Sequence, residues 1–571
     1  MVTPPWPPGQ PGESPSTPGT GTCSARGAVT EVATLRILWG QRLRRDRWQL
    51  AIWVLGIGAL ALFSATAIHQ TYGDDSSRAE ILQVALATPA ILMLRGLARG
   101  AGIGAFTFFQ IFSFLALLAG MMSTFLAVRH SRAEEETGSA ELIASTPAGR
   151  LTPAVATVLH GTAANVLVAL AVFAGFTAAG LDPAGALVAG AATGAVGLAF
   201  LGVGLLVAQL MGTSRGANGF SAALVVLAYV LRGIGDATGT PDAGGTVMTA
   251  GPASWFSPIG WGQQTFAFTG DRWWPLLLPL ALAAVSLGAA WVLLERRDSG
   301  ASVWGALPGR VAARRGLNSP FALALRLQAG SIIGWSLGGL AGGLLTGSLG
   351  SAIAAVDLAD SSATAVLRAI IQSQGASLTQ IMISVLFSIV GVLAAACGLQ
   401  AVLRLRQEEA AGTAELLLAA PVSRIRWLTG YLLLGTASVV LVMFLAGLGA
   451  WVSLTGSGDT SMDVWAVWET AAAQLPAALI YLAVPALVFV LWPAATIAAG
   501  WALLGAGVVM GIFGGMVGLD QGIRDLSPFT HTPVPNGSTT DWSGAWWMLA
   551  IAVLAAVVAV IGMRRRETGT A

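Results

Sequence analysis

The chain has 571 residues, of which 55% are hydrophobic and only 10% charged, with 72 glycines and a mean hydropathy of +0.73. A soluble domain of this size could not carry that balance without exposing large apolar patches, so lipid must be its main solvent. All 30 basic residues are Arg, and a chain without Lys cannot form a Walker A loop, whose Lys reaches the β/γ-phosphates; the net charge of +2 gives no basic excess, and no nucleic-acid partner is expected.

Residues 1–30 are rich in Pro, Gly, Ser and Thr and predict a disordered tail with no cleaved signal peptide. The basic segment from Leu35 to Trp48, with Arg36, Arg42, Arg44, Arg45 and Arg47, suits an interfacial helix on an anionic membrane face or the positive flank of the first span. Apolar runs long enough to cross a bilayer then recur at about 48–68, 104–128, 153–179, 185–211, 219–234 and 273–294, and again at 330–353, 379–403, 428–453, 470–492, 494–516 and 546–563. The expected fold class is an all-α polytopic membrane protein with about 12 transmembrane helices. A first transmembrane half covers 31–300, a cytoplasmic linker 301–320 and a second half 321–571. With the N-terminus inside, 23 Arg fall in inner segments and seven in outer ones, so the positive-inside rule places both termini in the cytoplasm of a plasma-membrane protein.

Chemistry-bearing residues are sparse. Cys23 and Cys397 are poorly placed to bridge or to bind a metal. The four His, at 69, 130, 160 and 531, are scattered without metal-ligand spacing and read as loop or interface residues; no metal site is expected. No nucleophile, acid/base or metal groups gather in one place, which argues against a membrane-embedded enzyme and for a chain with no catalytic site and no cofactor of its own.

Laid on itself, the chain shows two halves. Arg132, Glu134, Glu135, Gly138, Ala140, Glu141, Leu142, Pro147 and Arg150 recur as Arg406, Glu408, Glu409, Gly412, Ala414, Glu415, Leu416, Pro421 and Arg424, all at one offset of 274. Chance apolar similarity cannot produce a match in polar residues. At the edges, Leu43-Arg44 with Trp53 echoes Leu325-Arg326 with Trp335, Ser257-Pro258 echoes Ser527-Pro528, and Arg296-Arg297 echoes Arg565-Arg566. Six spans per half is an even number, so the halves are parallel repeats related by an axis along the membrane normal, with a translocation path expected between them. Within each Glu-rich loop, Glu134 and Glu141, or Glu408 and Glu415, are two helical turns apart, which puts each pair on one face of a short helix that could dock on a twofold partner.

The paired E-E-x-x-G-[ST]-A-E-L…P…R loops and the Ser-Pro segment before the last span of each half resemble the ABC-2 type permeases of actinobacteria that export polyketide antibiotics, the tetronasin-type efflux permeases. The resemblance covers most of the chain after about residue 35, and its most specific part is the duplicated loop. It implies an ABC-2/ABCG-like (type V exporter) fold, and a separate ABC-type ATPase, in two copies, that binds the ATP and Mg. Glu134, Glu135, Gly138, Glu141, Pro147, Arg150, Glu408, Glu409, Gly412, Glu415, Pro421 and Arg424 would then form the ATPase-coupling helices. An outer gate would lie within about 235–270 and 517–545, near Pro258 and Pro528. Phe108, Phe109, Gln110 and Phe112 fall where that architecture lines its substrate cavity, aromatic walls suiting a large amphiphilic ligand, although lipid-facing or core packing accounts for them too.

The implied function is export of hydrophobic or amphiphilic compounds, in contact with membrane lipid, as in antibiotic or multidrug efflux. The alternatives are an ABC-2 exporter of a lipid-like metabolite, and a secondary antiporter of the major facilitator kind. Proton coupling usually places carboxylates inside spans, yet the spans hold almost none, Glu469 being the nearest.

Overall fold

The computed structural model describes residues 20–146, 149–298, 300–304, 317, 319–355, 378–456, 463–512, 514, 519–536 and 539–566. Pro147, the first nineteen residues of the expected tail and most of the expected linker lie outside them. The chain forms two compact units, 1–308 and 309–571. Among the described residues, twelve helices are long and apolar enough to cross a membrane, one for each predicted run.

The first unit begins with α1 (Thr20–Thr71), a single helix that carries both the basic segment and the first span. Helix therefore starts within the stretch expected to be a disordered tail, just past Pro18, and no further proline interrupts it before its end at Thr71. The basic segment does not form a separate interfacial helix; Arg42 and Asp46 are buried inside the unit. Two short helices, α2 (Asp75–Ala87) and α3 (Pro89–Leu94), lead to α4 (Ile103–Arg129). The Glu-rich loop folds as α5 (Arg132–Glu136) and α6 (Ser139–Ala144), followed by α7 (Thr152–Ala178), α8 (Pro183–Leu210) and α9 (Ser214–Ala237). The chain then turns back through the short α10 (Pro258–Gln263) before α11 (Leu277–Arg296). Helix α8 is the most buried, packed between α4, α7 and α11.

The second unit runs α12 (Pro320–Ala355), α13 (Leu378–Ala410), α14 (Thr413–Leu418), α15 (Arg424–Gly456), α16 (Val464–Ala473), α17 (Leu475–Leu491), α18 (Thr496–Gly511), α19 (Gln521–Arg524) and α20 (Ser543–Met563). Its tightest pair is α12 on α15. Gly339, Gly343 and Gly347, four residues apart, face the carbonyls of Val442, Ala446 and Ala450, and a Cβ on any of them would lie 1.9–2.6 Å from those oxygens. Small residues at this spacing let backbones approach where lipid offers no hydrophobic drive to association. Trp492 to Ala495 separates α17 from α18, so the two runs that nearly touch in sequence are distinct helices.

Candidate functional site

The Glu-rich segment starts at the C-terminal end of α4. Gly138 has φ +73, in the left-handed region, and its counterpart Gly412 has φ +70. Such a residue ends one helix and resets the direction of the next. The same-face expectation fails here for that reason. Glu134 and Glu408 turn into their units and are buried, whereas Glu141 and Glu415 are exposed, next to Leu142 and Leu416, which are 74% and 77% exposed.

The inward carboxylates are held firmly. Glu134 accepts from Arg42 Nη2 at 2.9 Å and faces His130 Nδ1 at 3.0 Å. Glu408 accepts from the Tyr431 hydroxyl at 2.6 Å and from Trp427 Nε1 at 3.3 Å, with Arg404 Nε 3.4 Å away. The second Glu of each loop anchors on the end of the unit's last helix. Glu135 lies between Arg132, at 2.6 Å, and Arg297, and Glu409 lies between Arg406, at 3.5 Å, and Arg566. Arg150 and Arg424 donate to the backbone carbonyls of Arg297 and Arg566. The second Glu and the Arg thus make the same ties in both units, the first Glu is buried on different partners, and the sequence motif divides into an internal anchor (Glu134, Glu135, Arg150; Glu408, Glu409, Arg424), a pivot (Gly138; Gly412) and an exposed tip (Glu141, Leu142; Glu415, Leu416). Pro421 is exposed just ahead of α15.

The Ser-Pro segments also repeat a local device. Ser257 Oγ donates to the Ala228 carbonyl of α9 at 2.7 Å and accepts from Gly260 N, with Pro258 opening the buried α10. Ser527 Oγ donates to the Gly507 carbonyl of α18 at 2.7 Å and accepts from Phe529 N, with Pro528 opening a single 3₁₀ turn. In the first unit the segment after α10 is strained: Phe266, Phe268 and Asp271 have φ of 50°, 69° and 43°. The Phe268 ring occupies space that side chains on Gly104 and Gly185 would need. Arg99 and Arg272 both lie over the Phe266 ring, at 3.6 and 4.6 Å. Burial and the neighbouring Arg272 charge lower the pKa of Arg99.

Phe108 and Phe112 stack at 4.5 Å inside the first unit's core, Phe109 belongs to a second cluster with Phe106, and Gln110 is buried beside them. A cavity of about 430 Å³ lies elsewhere in that unit, between α7, α8 and α11, lined by Val158, Leu159, Leu205, Leu287, Trp291 and the buried Gln209. The four predicted cavity residues do not line it.

The sequence reading missed two polar centres. His130 and His160, read as scattered loop or interface residues, meet on Asp46: the His130 Nε2 and His160 Nε2 atoms both contact Asp46 Oδ2, the latter at 3.2 Å. Their partners are 84 and 114 residues apart, so spacing could not reveal them. The second centre is Arg232 with Asp236, both fully buried in α9 at 3.2 Å. Asp236, the penultimate residue of the spanning helix α9, is a further carboxylate at the edge of a span, with a cation beside it.

Twelve spanning helices, with an anchored loop and a folded-back segment in each unit, define an all-α multi-pass membrane protein of the permease class. The profile described as multidrug efflux system permease Rv1217c, C-terminal domain, matches residues 317–564. The chain is 34% identical over 529 residues to the multidrug efflux system permease protein Rv1217c of Mycobacterium tuberculosis (strain ATCC 25618 / H37Rv), covering 92% of this chain and 93% of that relative. The chain belongs to this permease family.

Proposed function

We propose that the chain is the membrane subunit of an ATP-driven exporter of the ABC-2/ABCG-like kind, its two six-helix halves parallel, both termini cytoplasmic. A separate ABC-type ATPase, two copies per permease, binds the ATP and Mg and docks on the exposed tips. Hydrophobic or amphiphilic compounds leave the cytoplasm or inner leaflet; polyketide antibiotics are one class of that chemistry, and the relative's multidrug efflux name supports the broader range. The carrying observation is the exposed apolar-acidic tip, Glu141-Leu142 and Glu415-Leu416, set on a Gly pivot above an internally clamped anchor. A large apolar side chain three-quarters exposed beside a carboxylate, and present twice, is what a docking helix requires. Force on the tip would pass through Glu135 and Arg150, or Glu409 and Arg424, to the last helix of each half. The folded-back segments at Pro258 and Pro528 would form the outer gate. The cavity between α7, α8 and α11, apolar but for the Gln209 amide, offers an amphiphile a binding surface in the first half.

The test is charge reversal at the tips. Glu141→Arg with Glu415→Arg should abolish co-purification of the ATPase and drug-stimulated ATP turnover while leaving thermal unfolding unchanged, because both residues are exposed. Normal drug-stimulated turnover would overturn the assignment. Buried Asp46 and Asp236 favour one second reading, a proton-driven antiporter, for which transport would follow a pH gradient in vesicles without any ATPase.

A further inference from the structure

His130 forms the C-cap of α4, and both of its ring nitrogens face carboxylates: Nδ1 is 3.0 Å from Glu134 Oε1 and Nε2 contacts Asp46 Oδ2. A neutral imidazole has only one N–H, so one of these contacts would set lone pair against lone pair. One of the two contacts therefore needs a further cation, a proton or a metal ion, and at Nε2 it would be shared with Asp46. His160 Nε2, from α7, converges on the same oxygen at 3.2 Å, and the three ligand atoms lie within 4.8 Å of one another. The rings of His130 and His160 stand edge to face, 84° apart, so their two nitrogens approach the point from different directions. All three residues are at most 2% exposed.

We propose that Asp46, His130 and His160 form a binding site for a divalent transition metal of the zinc class, one per chain, joining α1, α4 and α7. Two imidazole nitrogens and one carboxylate oxygen are a borderline-soft donor set with a position left for water. The surroundings support two of the three ligands, His130 and Asp46, whereas His160 Nδ1 is buried without a hydrogen-bond partner. Glu134 would accept the Nδ1 proton of His130, fixing the tautomer that presents Nε2 to the metal. Arg129 Nη2 is 2.9 Å from Asp46 Oδ1, leaving Oδ2 for the ion, and Arg42 Nη2 is 2.9 Å from Glu134 Oε2. Arg42 also donates to Thr157 Oγ1 at 2.7 Å, and that hydroxyl donates to the His130 carbonyl at 3.0 Å. With both imidazoles neutral, the two carboxylates balance the buried Arg42 and Arg129, and the exposed Arg45, 3.9 Å from Glu134, adds one positive charge at the rim. His130 and Glu134 line a cavity of about 450 Å³ at this end of the unit, which gives the ion a way in.

The second unit points the same way. At the offset of 274, the position of His130 is held by Arg404, whose Nε lies 3.4 Å from Glu408, and that of His160 by Leu434. A permanent guanidinium there does what an exchangeable cation would do in the first unit. The metal would brace the anchor of one coupling loop only, making the two loops unequal in their response to metal supply.

The full chain, purified in detergent through a histidine-free tag, would be stripped with a chelator and equilibrated with Zn²⁺ alone. One zinc per chain is expected by elemental analysis, with substitution by Co²⁺ giving the intense visible bands of a four-coordinate N/O site. His130→Gln and His160→Gln should each drop the zinc content at least tenfold, whereas His69→Gln with His531→Gln should leave it unchanged. Glu134→Gln should keep the stoichiometry and weaken affinity about 10–100-fold. Wild-type chain without zinc above the detergent blank and without Co²⁺ bands, meaning that a proton alone bridges the cluster, would overturn the site. So would zinc that stays in both His130→Gln and His160→Gln. The Co²⁺ spectrum of the wild type decides the matter even if every variant fails to fold.

Discussion

Replacing Gly138 and Gly412 by Ala tests the pivot without touching any contact. Both residues have left-handed φ, +73 and +70, and a Cβ on either would meet nothing within 4 Å. The whole effect is therefore backbone strain, about 1–2 kcal/mol per site for a non-Gly residue held in this region. If the ATPase docks on tips held in this conformation, that strain weakens each docking contact by roughly 5- to 30-fold. The substitutions lie in separate units and share no partners, so their penalties should add. Asn tolerates the left-handed region better than Ala, and Gly138→Asn with Gly412→Asn should retain more affinity than the Ala pair. The assay is equilibrium binding of the ATPase subunit to permease in lipid nanodiscs. Ala variants that bind like the wild type, or Asn variants weaker than Ala ones, would refute the pivot.

Two further outcomes concern stability. Arg232→Met leaves the Asp236 carboxylate buried and unpaired and should cost about 3–5 kcal/mol, read as a lowered Tm in detergent, while Arg232→Met with Asp236→Leu should lose less than the single variant. Gly507→Ala places a Cβ 1.8 Å from the Tyr481 hydroxyl oxygen and should destabilise the second unit by about 1–3 kcal/mol; adding Tyr481→Phe removes that oxygen and should restore most of the Tm.

The twelve spans were legible because lipid demands long apolar windows, and each predicted run fell on helix, the one at 470–492 shared between the end of α16 and α17; the short one expected at 219–234 gained its length from Ser214 to Ala237. The duplicated loop was legible because polar residues matched at one offset. Which way its residues face was not, since helical spacing of seven assumes an unbroken helix and Gly138 and Gly412 break it. The anchor depends on Arg297 and Arg566, 162 and 157 residues from their Glu partners. Only the echoed Arg pairs at the ends of the halves hinted at that tie. The phenylalanines of α4 show the converse: an aromatic run in a span reads equally as cavity wall or core, and the structure puts Phe112, at 1% exposure, in the first unit's core, away from the cavity between α7, α8 and α11. Asp46, His130 and His160 come from three helices, and the one sequence clue was Arg404 standing in the second half where His130 stands in the first.

The central claim is that this permease is driven by ATP bound on another subunit. Proteoliposomes containing the chain with its ATPase, loaded with a fluorescent amphiphilic drug and held at equal pH on both sides, test it most directly. ATP added on the ATPase side should drive net drug movement, and permease lacking the ATPase should carry none under an imposed pH gradient. Transport that follows the pH gradient and ignores ATP would contradict the account.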